Sequence, residues 1–575
     1  MPRNLLHLDI GSAVTSARAI ALTGDTFSTS GYAFCPSPPP AGGDLTSAVE
    51  PAIEAMKRKM GVNGASYDPE SILVTVSAGG EPRTVCAGVV KGISGESAKR
   101  AALSAGATVA DLIAVDDGRQ DFERISDLRR HEIAMVVMAG GVDEEILKSG
   151  KHQILNIAKV IADGLPRRRG SETKVPLVYA ASAEGRSEVA RIMQDTANIV
   201  WADNVRPTLE VETLDSARSA VVHTFMEGVR RDPRFRALGR LGSPEANPGG
   251  YAVSSAVEEY YRRTGENLLV ISLDGDSVQV VSAIGGVFTR TVTPVHGVEP
   301  KGMRRYLPWA GLVPSGEDLL GNWKIRPRVL PRTWDELAIF LAIYKEAVRL
   351  AMVDHSHSAI ELRGIHRQRL ISETFQVRVQ GGDTLVRMER IGKIVFTGYL
   401  SRLLSPASLM SLAADAADPS GITEVYLDED DSLLIAGSAS RLGMALRVED
   451  RLRPLGVLVS AGKNEERVSP KRAAIHRDES REILPVVPEE VSVLEIRGET
   501  RFAISMEPQN NKVDFGEGEG RKVRRDIAAG FGAVYLDGRA RRPRGETTAQ
   551  EQRKWYRGMK VFPDEVISGW AGGRE

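Results

Sequence analysis

The residues best able to do chemistry in this sequence form a short cluster near its start. Asp9, Gly11, Ser12 and Thr15 follow a brief, mostly apolar run that is typical of a strand. A strand that turns back after Asp-x-Gly-Ser presents backbone N–H groups and hydroxyls that can bind a phosphate. The glycine lets the backbone come close, and the Asp can hold a Mg²⁺-bound water. A purely structural turn explains the same residues, so the spacing leaves both interpretations open.

A second acidic turn has a similar setting much later in the chain. Asp274, Gly275, Asp276 and Ser277 stand between two β-type apolar runs. The N–H groups of such a turn can bind phosphate, but two carboxylates repel a triphosphate unless Mg²⁺ intervenes. The pattern therefore fits either a second phosphate-binding hairpin or a plain acidic turn.

Two glycine pairs also stand where a ligand could approach. Gly79-Gly80 and Gly140-Gly141 each follow an apolar strand. A parallel sheet places its ligand crevice at such strand ends. Glycine pairs also make tight turns, which is the simpler explanation of each pair taken singly.

Metal and cysteine chemistry have little support in the sequence. Asp354, His355 and His357 have the composition of a ligand set, but side chains two apart on a helix do not share a face, so we expect no metal there. The two cysteines, Cys35 and Cys86, exclude a disulfide framework and a multi-cysteine metal site. We expect Cys86, in an apolar strand, to be an inert core thiol.

Alternating strands and helices must position these residues. Strand-type runs at Ile72–Val76, Ile133–Met138 and Val175–Ala180 are separated by helix-type segments, which predicts βαβ units and a mainly parallel sheet. The strand–turn–strand that begins at Leu268 repeats the N-terminal pattern and indicates a duplicated architecture. A capping box at Thr333 predicts the clearest helix of the chain.

Length and composition restrict the class of protein. The 575 residues suit three or four folded units, and 42% hydrophobic against 26% charged residues is typical of a soluble globular chain. The formal charge, 75 − 76 = −1, excludes a generally basic nucleic-acid-binding protein. The basic tail, residues 521–575, has 13 Lys/Arg against 7 Asp/Glu, and we interpret it as a solvated face. Without a signal peptide or an apolar run of ~18 residues, we expect a cytoplasmic protein that does not span a membrane.

The run Val74–Thr108 carries the most specific resemblance in the sequence. It reads VTVSAGGEPRTVCAGVVKGISGESAKRAALSAGAT, a strand and Gly-Gly turn and then an alanine-rich helix. This resembles the MutL proteins associated with glutamate mutase, which share only a name with the mismatch-repair protein. Later segments resemble the same family in the same order: Val136–Glu145, Val175–Ser182, Glu346–His355 and Ile394–Asp428.

The resemblance implies an actin/Hsp70/sugar-kinase-like fold, in which two duplicated α/β halves bind ATP and Mg²⁺. Asp9, Gly11, Ser12 and Thr15 match the family's first phosphate hairpin, with Asp9 as the catalytic carboxylate that organises Mg²⁺. Asp274 is the implied second catalytic carboxylate. The other implied cofactor-binding positions are Gly275, Ser277, Thr397 and Gly398.

The second hairpin departs from the family pattern. Ser272 and Gln279 stand where the family has Asp, and Asp274 or Asp276 could substitute through a shift of one or two residues in the turn. A fold that loses catalytic carboxylates can keep binding its ligand while hydrolysing it poorly.

The adenosine-side turn departs as well. Phe396 and Tyr399 flank Thr397-Gly398 where the family has small residues, and we expect them to crowd a base or sugar. The segment 436–438 (Ala-Gly-Ser) offers another small-residue turn.

We therefore expect a duplicated actin-like α/β fold with a small β-rich C-terminal unit. The predicted boundaries are residues 1–250 for the first half with a family-specific insertion, 251–450 for the second half, 451–485 for a linker and 486–575 for the β-rich unit with its basic tail.

Two functions are compatible with this pattern. The leading hypothesis is an ATP-binding factor with weak or no hydrolysis, which reactivates or assembles an adenosylcobalamin-dependent mutase or another protein partner. The alternative is a degenerate scaffold that no longer binds nucleotide. A sugar or acid kinase of the same fold is a weaker third hypothesis, because no sequence feature marks its carboxylate base. We do not expect a nucleic-acid partner.

Overall fold

The structure, a computed structural model, divides the chain into two units. Unit 1 contains Met1–Ser255, Ile360–Thr384 and Gly437–Met444, and unit 2 contains Ala256–Ala359, Leu385–Ala436 and Ala445–Glu575. The structure describes residues 3–38, 43–61, 67–78, 82–143, 150–166, 174–209, 211–241, 246–275, 277–295, 312–325, 330–358, 384, 386–460, 472–477, 480–496, 501–509, 511, 513–539 and 548–570.

Unit 1 begins with three antiparallel strands and a crossover to a parallel fourth strand. These elements are β1 (Arg3–Ile10), β2 (Val14–Thr23), β3 (Thr26–Pro36), α1 (Val49–Lys59) and β4 (Ser71–Val76). Leu8 and Ile10 are fully buried because alternate residues of β1 face the helices of this unit. β4 runs parallel to β1, with Asp9 opposite Thr75. The strand that carries Asp9 is therefore central in its sheet.

A parallel sheet is inserted after β4. Its elements are β5 (Arg83–Gly88), α2 (Glu96–Ser104), β6 (Thr108–Ala114), α3 (Asp121–Arg130), β7 (Met135–Met138), α4 (Gly150–Gly164), β8 (Val175–Tyr179), α5 (Arg186–Met193) and β9 (Ala197–Trp201). All five strands are parallel, in the order β6-β5-β7-β8-β9. This confirms the predicted βαβ units. Burial in β5 raises the pKa of the Cys86 thiol, as expected of a core cysteine.

The chain then returns to the first sheet of unit 1. The returning elements are α6 (Asp215–Arg231), α7 (Ala237–Arg240), β10 (Ala246–Pro248) and α8 (Gly249–Thr264), whose last residues belong to unit 2. β10 pairs in parallel with β4, which gives the sheet order β10-β4-β1-β2-β3. Three parallel strand ends, from β1, β4 and β10, therefore lie side by side.

Unit 2 repeats this arrangement. Its elements are β11 (Leu268–Leu273), β12 (Ser277–Ile284), β13 (Val287–Pro294), α9 (Gly316–Ile325), α10 (Trp334–Ser358), β14 (Lys393–Thr397), α11 (Pro406–Leu412), β15 (Gly421–Leu427) and α12 (Ser432–Ser440). The strand order β13-β12-β11-β14-β15 matches β3-β2-β1-β4-β10 strand for strand, with the same parallel and antiparallel pairs. This confirms the predicted duplicated actin-like α/β fold.

The two hairpins also share one register. Asp9 pairs with Ser16 in unit 1, and Ser272 pairs with Gln279 in unit 2, each across the same number of residues. Asp9 and Ser272 therefore occupy equivalent positions.

The C-terminal region extends the sheet of unit 2 and adds a smaller one. Its elements are β16 (Arg453–Ser460), β17 (Arg472–Arg477), β18 (Ser480–Leu484), β19 (Val491–Glu495), β20 (Phe502–Glu507), β21 (Val523–Ile527), β22 (Ala533–Asp537), α13 (Ala549–Gly558) and α14 (Asp564–Gly569). β16, β22 and β19 join the large sheet, and β18-β17-β20-β21 form a separate four-stranded sheet. Residues 451–485, predicted as a linker, instead hold strands β16 to β18, because buried residues such as Leu455 and Val457 give them apolar faces. The other domain boundaries stay predictions.

A buried charge cluster fixes the C-terminal segment to unit 2. Lys345 Nζ lies 2.6 Å from Asp415 Oδ2, and Arg539 lies 2.6 Å from Asp415 and 2.7 Å from Asp537. Burial lowers the pKa of Lys345 to about 8. Although burial opposes ionisation of Asp415, Arg539 and Lys345 lower its pKa to about 2. The prediction of a solvated basic face is therefore wrong for Arg539, whose side chain lies in this buried cluster. Arg541 lies outside the described residues.

Helix α10 begins at the predicted capping box. Thr333 Oγ1 accepts from the Glu336 N–H at 3.1 Å, and the Glu336 carboxylate accepts from the Thr333 N–H at 3.3 Å. His355, near the other end, is fully buried, with its ring nitrogens 3.0 Å from Thr291 Oγ1 and 2.7 Å from Ser282 Oγ. Burial lowers the pKa of His355 to about 3, so this histidine is a neutral core residue. Of the helices described, none has the length and apolar character needed to cross a membrane.

Candidate functional site

One oxygen of the Asp9 carboxylate accepts a hydrogen bond from a neighbouring strand, and the other faces the turn that follows Asp9. Its Oδ1 accepts a 2.7 Å hydrogen bond from Thr75 Oγ1 on the neighbouring strand β4. Its Oδ2 lies 3.6 Å from where a Cβ on Gly11 would stand, so this oxygen faces the turn. Asp9 is half-buried, whereas Thr75 is fully buried. A partly exposed carboxylate therefore stands beside a turn, in a fixed orientation.

The turn that follows Asp9 is braced by its own backbone and by Ser37. The Gly11 N–H donates to Val14 O at 3.0 Å, and a Cβ on Gly11 would lie 2.6 Å from that oxygen, so the turn requires glycine. Ser37 Oγ donates to Gly11 O at 2.7 Å, and the Ser37 N–H donates to Ala13 O at 2.9 Å. Ser12 lies half-buried at this turn.

The hydroxyl of Thr15, another predicted phosphate contact, lies inside the hairpin. Thr15 is fully buried, opposite Cys35 in the pair of β2 and β3, and its Oγ1 lies 2.9 Å from Ser37 Oγ. Its hydroxyl braces the hairpin from inside. A phosphate contact by Thr15 stays a prediction.

The second hairpin also has a carboxylate near the position equivalent to Asp9, but it comes from the turn and not from the strand. Asp274 stands where unit 1 has Gly11, and its N–H donates to Ser277 O at 3.1 Å as Gly11 does to Val14. Ser272 Oγ donates to Asp274 Oδ2 at 2.9 Å, and Gln279 Nε2 lies 3.4 Å from the same oxygen. The Asp274 side chain therefore reaches back to the position equivalent to Asp9, which is the shift that the sequence allowed.

A buried arginine supports this second hairpin. Arg290 Nη2 donates to Gln279 Oε1 at 2.8 Å, and Arg290 is almost fully buried. Gly275 lies at the tip of the turn, whereas Asp276 lies outside the described residues. Gln279 thus connects the carboxylate of Asp274 to a buried cation, although it cannot supply the charge of the Asp that the family has there.

Thr397 and Gly398 lie directly beside this hairpin. Gly398 has φ +88°, and a Cβ there would lie 2.8 Å from Leu273 O and 2.9 Å from both Asp274 Oδ1 and Ser272 Oγ. Thr397 Oγ1 donates to Asp428 Oδ2 at 3.0 Å. The structure therefore brings Ser272, Asp274 and the predicted Thr397–Gly398 turn together.

Asp428 is a residue of this region that the sequence reasoning missed. It is fully buried, and besides Thr397 it accepts hydrogen bonds from the N–H and Oγ of Ser432 at 2.6 and 2.7 Å and from the Leu433 N–H at 3.1 Å. Burial and the neighbouring Asp431 raise the pKa of Asp428. An Asp at a strand end, four residues before a helical Ser, was the available signal for this helix cap.

Two expectations about the adenosine-side turn are wrong. Phe396 does not crowd the turn, because it is fully buried in the core of unit 2. Tyr399 is only partly buried against the same core, and crowding of a base or sugar by Tyr399 stays a prediction. The segment 436–438 is not a turn but part of α12, whose N-terminal N–H groups Asp428 satisfies.

The three parallel strand ends of each unit carry one row of polar residues. In unit 1 the row is Asp9, Thr75 and Asn247, on β1, β4 and β10. In unit 2 the equivalent row is Ser272, Thr397 and Asp428, at the ends of β11, β14 and β15. A threonine hydroxyl binds a carboxylate in both rows, but the carboxylate is on the first strand of unit 1 and after the third strand of unit 2.

The glycine pair at the inserted sheet is packed against protein. A Cβ on Gly140 would lie 2.6 Å from a Val89 methyl, and one on Gly141 would lie 3.0 Å from Ser182 Cβ. This favours the structural explanation of that pair. Gly79 and Gly80 lie outside the described residues.

A cleft of about 1510 Å³ in unit 1 does not contain the predicted site. It lies at the amino ends of the inserted strands, lined by Arg83, Met135 and Val175 among others, and Ala78 borders it. Ligands of parallel sheets bind at the carboxyl ends, where Asp9 lies, so we do not assign the nucleotide to this cleft.

The donors around Asp9 fit a magnesium-bound phosphate. A carboxylate oxygen and a serine hydroxyl are hard ligands of the kind that Mg²⁺ or its waters accept, and Mg²⁺ takes few protein ligands when phosphates supply the rest. Within the described part of the chain, no group of three or more His, Cys, Asp or Glu is arranged to hold a metal ion.

Comparison with known proteins agrees with the sequence resemblance. The family described as MutL protein matches residues 5–307. Protein MutL of Clostridium tetanomorphum is 24% identical over 301 residues, which cover 51% of this chain and 61% of that relative's length.

Solved structures show weaker likeness. Nucleotide-free acetone carboxylase has 8% identity and a TM-score of 0.32, covering 84% of this chain and 81% of its own. Gluconate kinase from Lactobacillus acidophilus has 11% identity and a TM-score of 0.31, covering 80% of this chain and 93% of its own. The assignment of the fold therefore depends on the strand order and not on these scores. Because the family match extends over more than half of the sequence, the chain belongs to the MutL family.

Proposed function

We propose that this chain binds Mg-ATP through the Asp9 hairpin and acts on a protein partner in a nucleotide-dependent way, with weak or no hydrolysis. The observation that carries the proposal is the Asp9 carboxylate, with Oδ1 held by Thr75 and Oδ2 directed at the Gly11 turn. When bound, Mg²⁺ would neutralise phosphate charge there, and Asp9 and Ser12 would hold it or its waters. The turn N–H groups would contact the phosphates.

Weak hydrolysis follows from the second hairpin. Asp274 supplies a carboxylate from the turn, in place of the strand-borne Asp that Ser272 replaces. Its Oδ2 is already bound by Ser272 and approached by Gln279, so we expect it to support binding more than general-base chemistry.

Calorimetry with Mg-ATP tests the proposal. We expect binding to the wild-type chain and a loss of affinity of more than about a hundredfold in Asp9→Ala, since the carboxylate is the main charged ligand proposed for Mg²⁺. Asp25→Ala is the control, because Asp25 is exposed in the turn between β2 and β3, at the end of β2 away from Ser12. Phosphate release, followed over hours, then measures hydrolysis. Equal affinity in all three proteins would contradict the assignment.

A nucleotide-free scaffold is the second candidate function. Ser272 in place of Asp, and the engagement of the Thr397 hydroxyl by Asp428, favour it. Absence of any Mg-ATP binding by the wild-type chain would support the scaffold and contradict the leading proposal.

The proposed partner is an adenosylcobalamin-dependent mutase, as the sequence resemblance implies. We expect the chain with Mg-ATP to restore activity to such a mutase after inactivation, and Asp9→Ala to fail. Restoration without ATP, or by Asp9→Ala as well, would contradict a nucleotide-dependent role.

A further inference from the structure

We propose that Thr75 is a positioning residue for Asp9: its hydroxyl fixes the carboxylate so that one oxygen faces the turn that receives Mg-bound phosphates. This inference rests on the proposed function and adds a residue that neither the motif nor its spacing indicated. Thr75 lies on β4, far from Asp9 in the sequence, and meets it only because the two strands are parallel neighbours in register.

The hydrogen bonds around Thr75 favour Asp9 as its partner. Thr75 Oγ1 lies 2.7 Å from Asp9 Oδ1, but 3.5 Å from Leu8 O and 3.4 Å from His7 Nε2. The shortest contact is the one to the carboxylate, as expected of a hydroxyl that donates to a charged acceptor. The fully buried imidazole of His7 is thus a second, more distant polar neighbour of this hydroxyl.

The side chain of Thr75 is suited to hold a fixed direction. Threonine is β-branched and has few rotamers in a strand, and Thr75 is fully buried, so its hydroxyl has little freedom. Its bond to Oδ1 leaves Oδ2 on the side of Gly11, at 3.6 Å from where a Cβ there would lie. Without the hydroxyl, the half-exposed carboxylate could rotate toward solvent and lose this orientation.

In unit 2 a threonine at the position equivalent to Thr75 also donates a hydrogen bond to a carboxylate. Thr397 occupies the equivalent position and donates to Asp428 at 3.0 Å. That carboxylate is a fully buried helix cap, not a ligand-facing group. The control is Thr84 on β5 of unit 1, which is equally buried and whose hydroxyl donates to Pro82 O at 3.1 Å, outside the predicted site.

The test compares Thr75→Val, Thr75→Ser and the control Thr84→Val in the full chain. Each protein is titrated with ATP at increasing Mg²⁺ and again in EDTA, and its thermal midpoint is recorded. We expect Thr75→Val to weaken Mg-ATP binding about tenfold, the loss typical of one hydrogen bond to a charged group, with a similar rise in the Mg²⁺ needed for half-saturation. Binding of ATP in EDTA should change less than about twofold, and Thr75→Ser should restore Mg-ATP affinity to within about threefold.

The outcomes separate this inference from the function on which it rests. If Thr75→Val binds Mg-ATP with the affinity and the Mg²⁺ dependence of the wild type, the role of Thr75 is overturned and the proposed function stands. Equal losses with Mg²⁺ and in EDTA show a merely structural effect and also overturn it. A wild-type chain that binds no Mg-ATP removes both proposals. Thr84→Val should lower the thermal midpoint without shifting the Mg²⁺ dependence, and Thr75→Ala replaces Thr75→Val if the latter does not fold.

Discussion

In unit 1 the carboxylate of the polar row stands on the first strand, at Asp9, whereas in unit 2 it stands after the third, at Asp428. Asp9 is half-buried and directs one oxygen at a turn. Asp428 is fully buried, and both its oxygens accept hydrogen bonds from Ser432, Leu433 and Thr397. One scaffold thus carries two kinds of carboxylate.

The two units therefore share a backbone arrangement but not a side-chain chemistry. Both hairpins have the same register and the same turn hydrogen bond. The Ala78 N–H donates to Ile10 O at 2.8 Å, and the equivalent Leu400 N–H donates to Leu273 O at 3.1 Å. Because backbone bonds define this geometry, the row can exchange Asp for Ser without loss of the fold, and its function changes with the side chain.

Removing each carboxylate in turn should affect stability and Mg-ATP binding in opposite ways. Asp428→Ala should lower the free energy of unfolding by about 4 kcal/mol, because buried donors of Ser432, Leu433 and Thr397 lose their acceptor. Asp9→Ala should cost about 1 kcal/mol or less but abolish Mg-ATP binding. Urea denaturation and calorimetry on both variants measure this contrast. Similar stability losses in the two would contradict the division of roles.

The next effect concerns the glycine that unit 2 requires. Gly398 stands where unit 1 has Val76, yet its φ is +88° and Asp274, Ser272 and Leu273 crowd its missing Cβ. Gly398→Ala should therefore destabilise the chain by about 2–3 kcal/mol in urea denaturation.

The control for this substitution is Gly24→Ala. Gly24 also has a positive φ, +65°, but no atom lies within 4 Å of its Cβ position. It should cost about 1 kcal/mol. Equal costs at the two sites would show that crowding at the second hairpin is unimportant.

A smaller effect depends on pH and tests whether buried polar groups of unit 2 serve stability. The pKa of His355 falls from 6.5 to about 3 on folding, so its contribution is present above pH 6.5 and is lost as the pH falls toward 3. Between pH 7 and 5 we expect the wild type to lose about 2 kcal/mol more stability than His355→Gln. Urea unfolding at both pH values checks this, and parallel losses would contradict a neutral buried histidine.

The smallest effect restores the family's carboxylate in the second hairpin. Ser272→Asp should destabilise unit 2 by about 1 kcal/mol, because the new carboxylate meets Asp274, whose Oδ2 lies 2.9 Å from Ser272 Oγ. Ser272→Asp combined with Asp274→Asn should recover that loss. Denaturation of the single and double variants forms the cycle, and additive effects would show that the two positions do not interact.

Local signals in the sequence predicted much of the fold. Alternating apolar runs predicted the parallel strands, the capping box at Thr333 predicted α10, and the repeated strand–turn–strand predicted the duplication. These features depend on neighbours a few residues apart, so spacing alone reveals them. The prediction of a linker over 451–485 was wrong because the strands there pair with strands later in the chain: β16 pairs with β22, and β17 pairs with β20.

The Asp9 motif, the duplicated architecture and the missing Asp at position 272 can all be read from the sequence. The structure was needed to show that Thr75 holds Asp9, that Asp274 reaches the place beside Ser272, and that Phe396 turns into the core. The first of these depends on two strands that are far apart in the chain and meet in register, the second on the direction of a turn side chain, and the third on which face of β14 packs inward. Sequence spacing carries no information about such pairs, because the register is set by the packing of whole sheets.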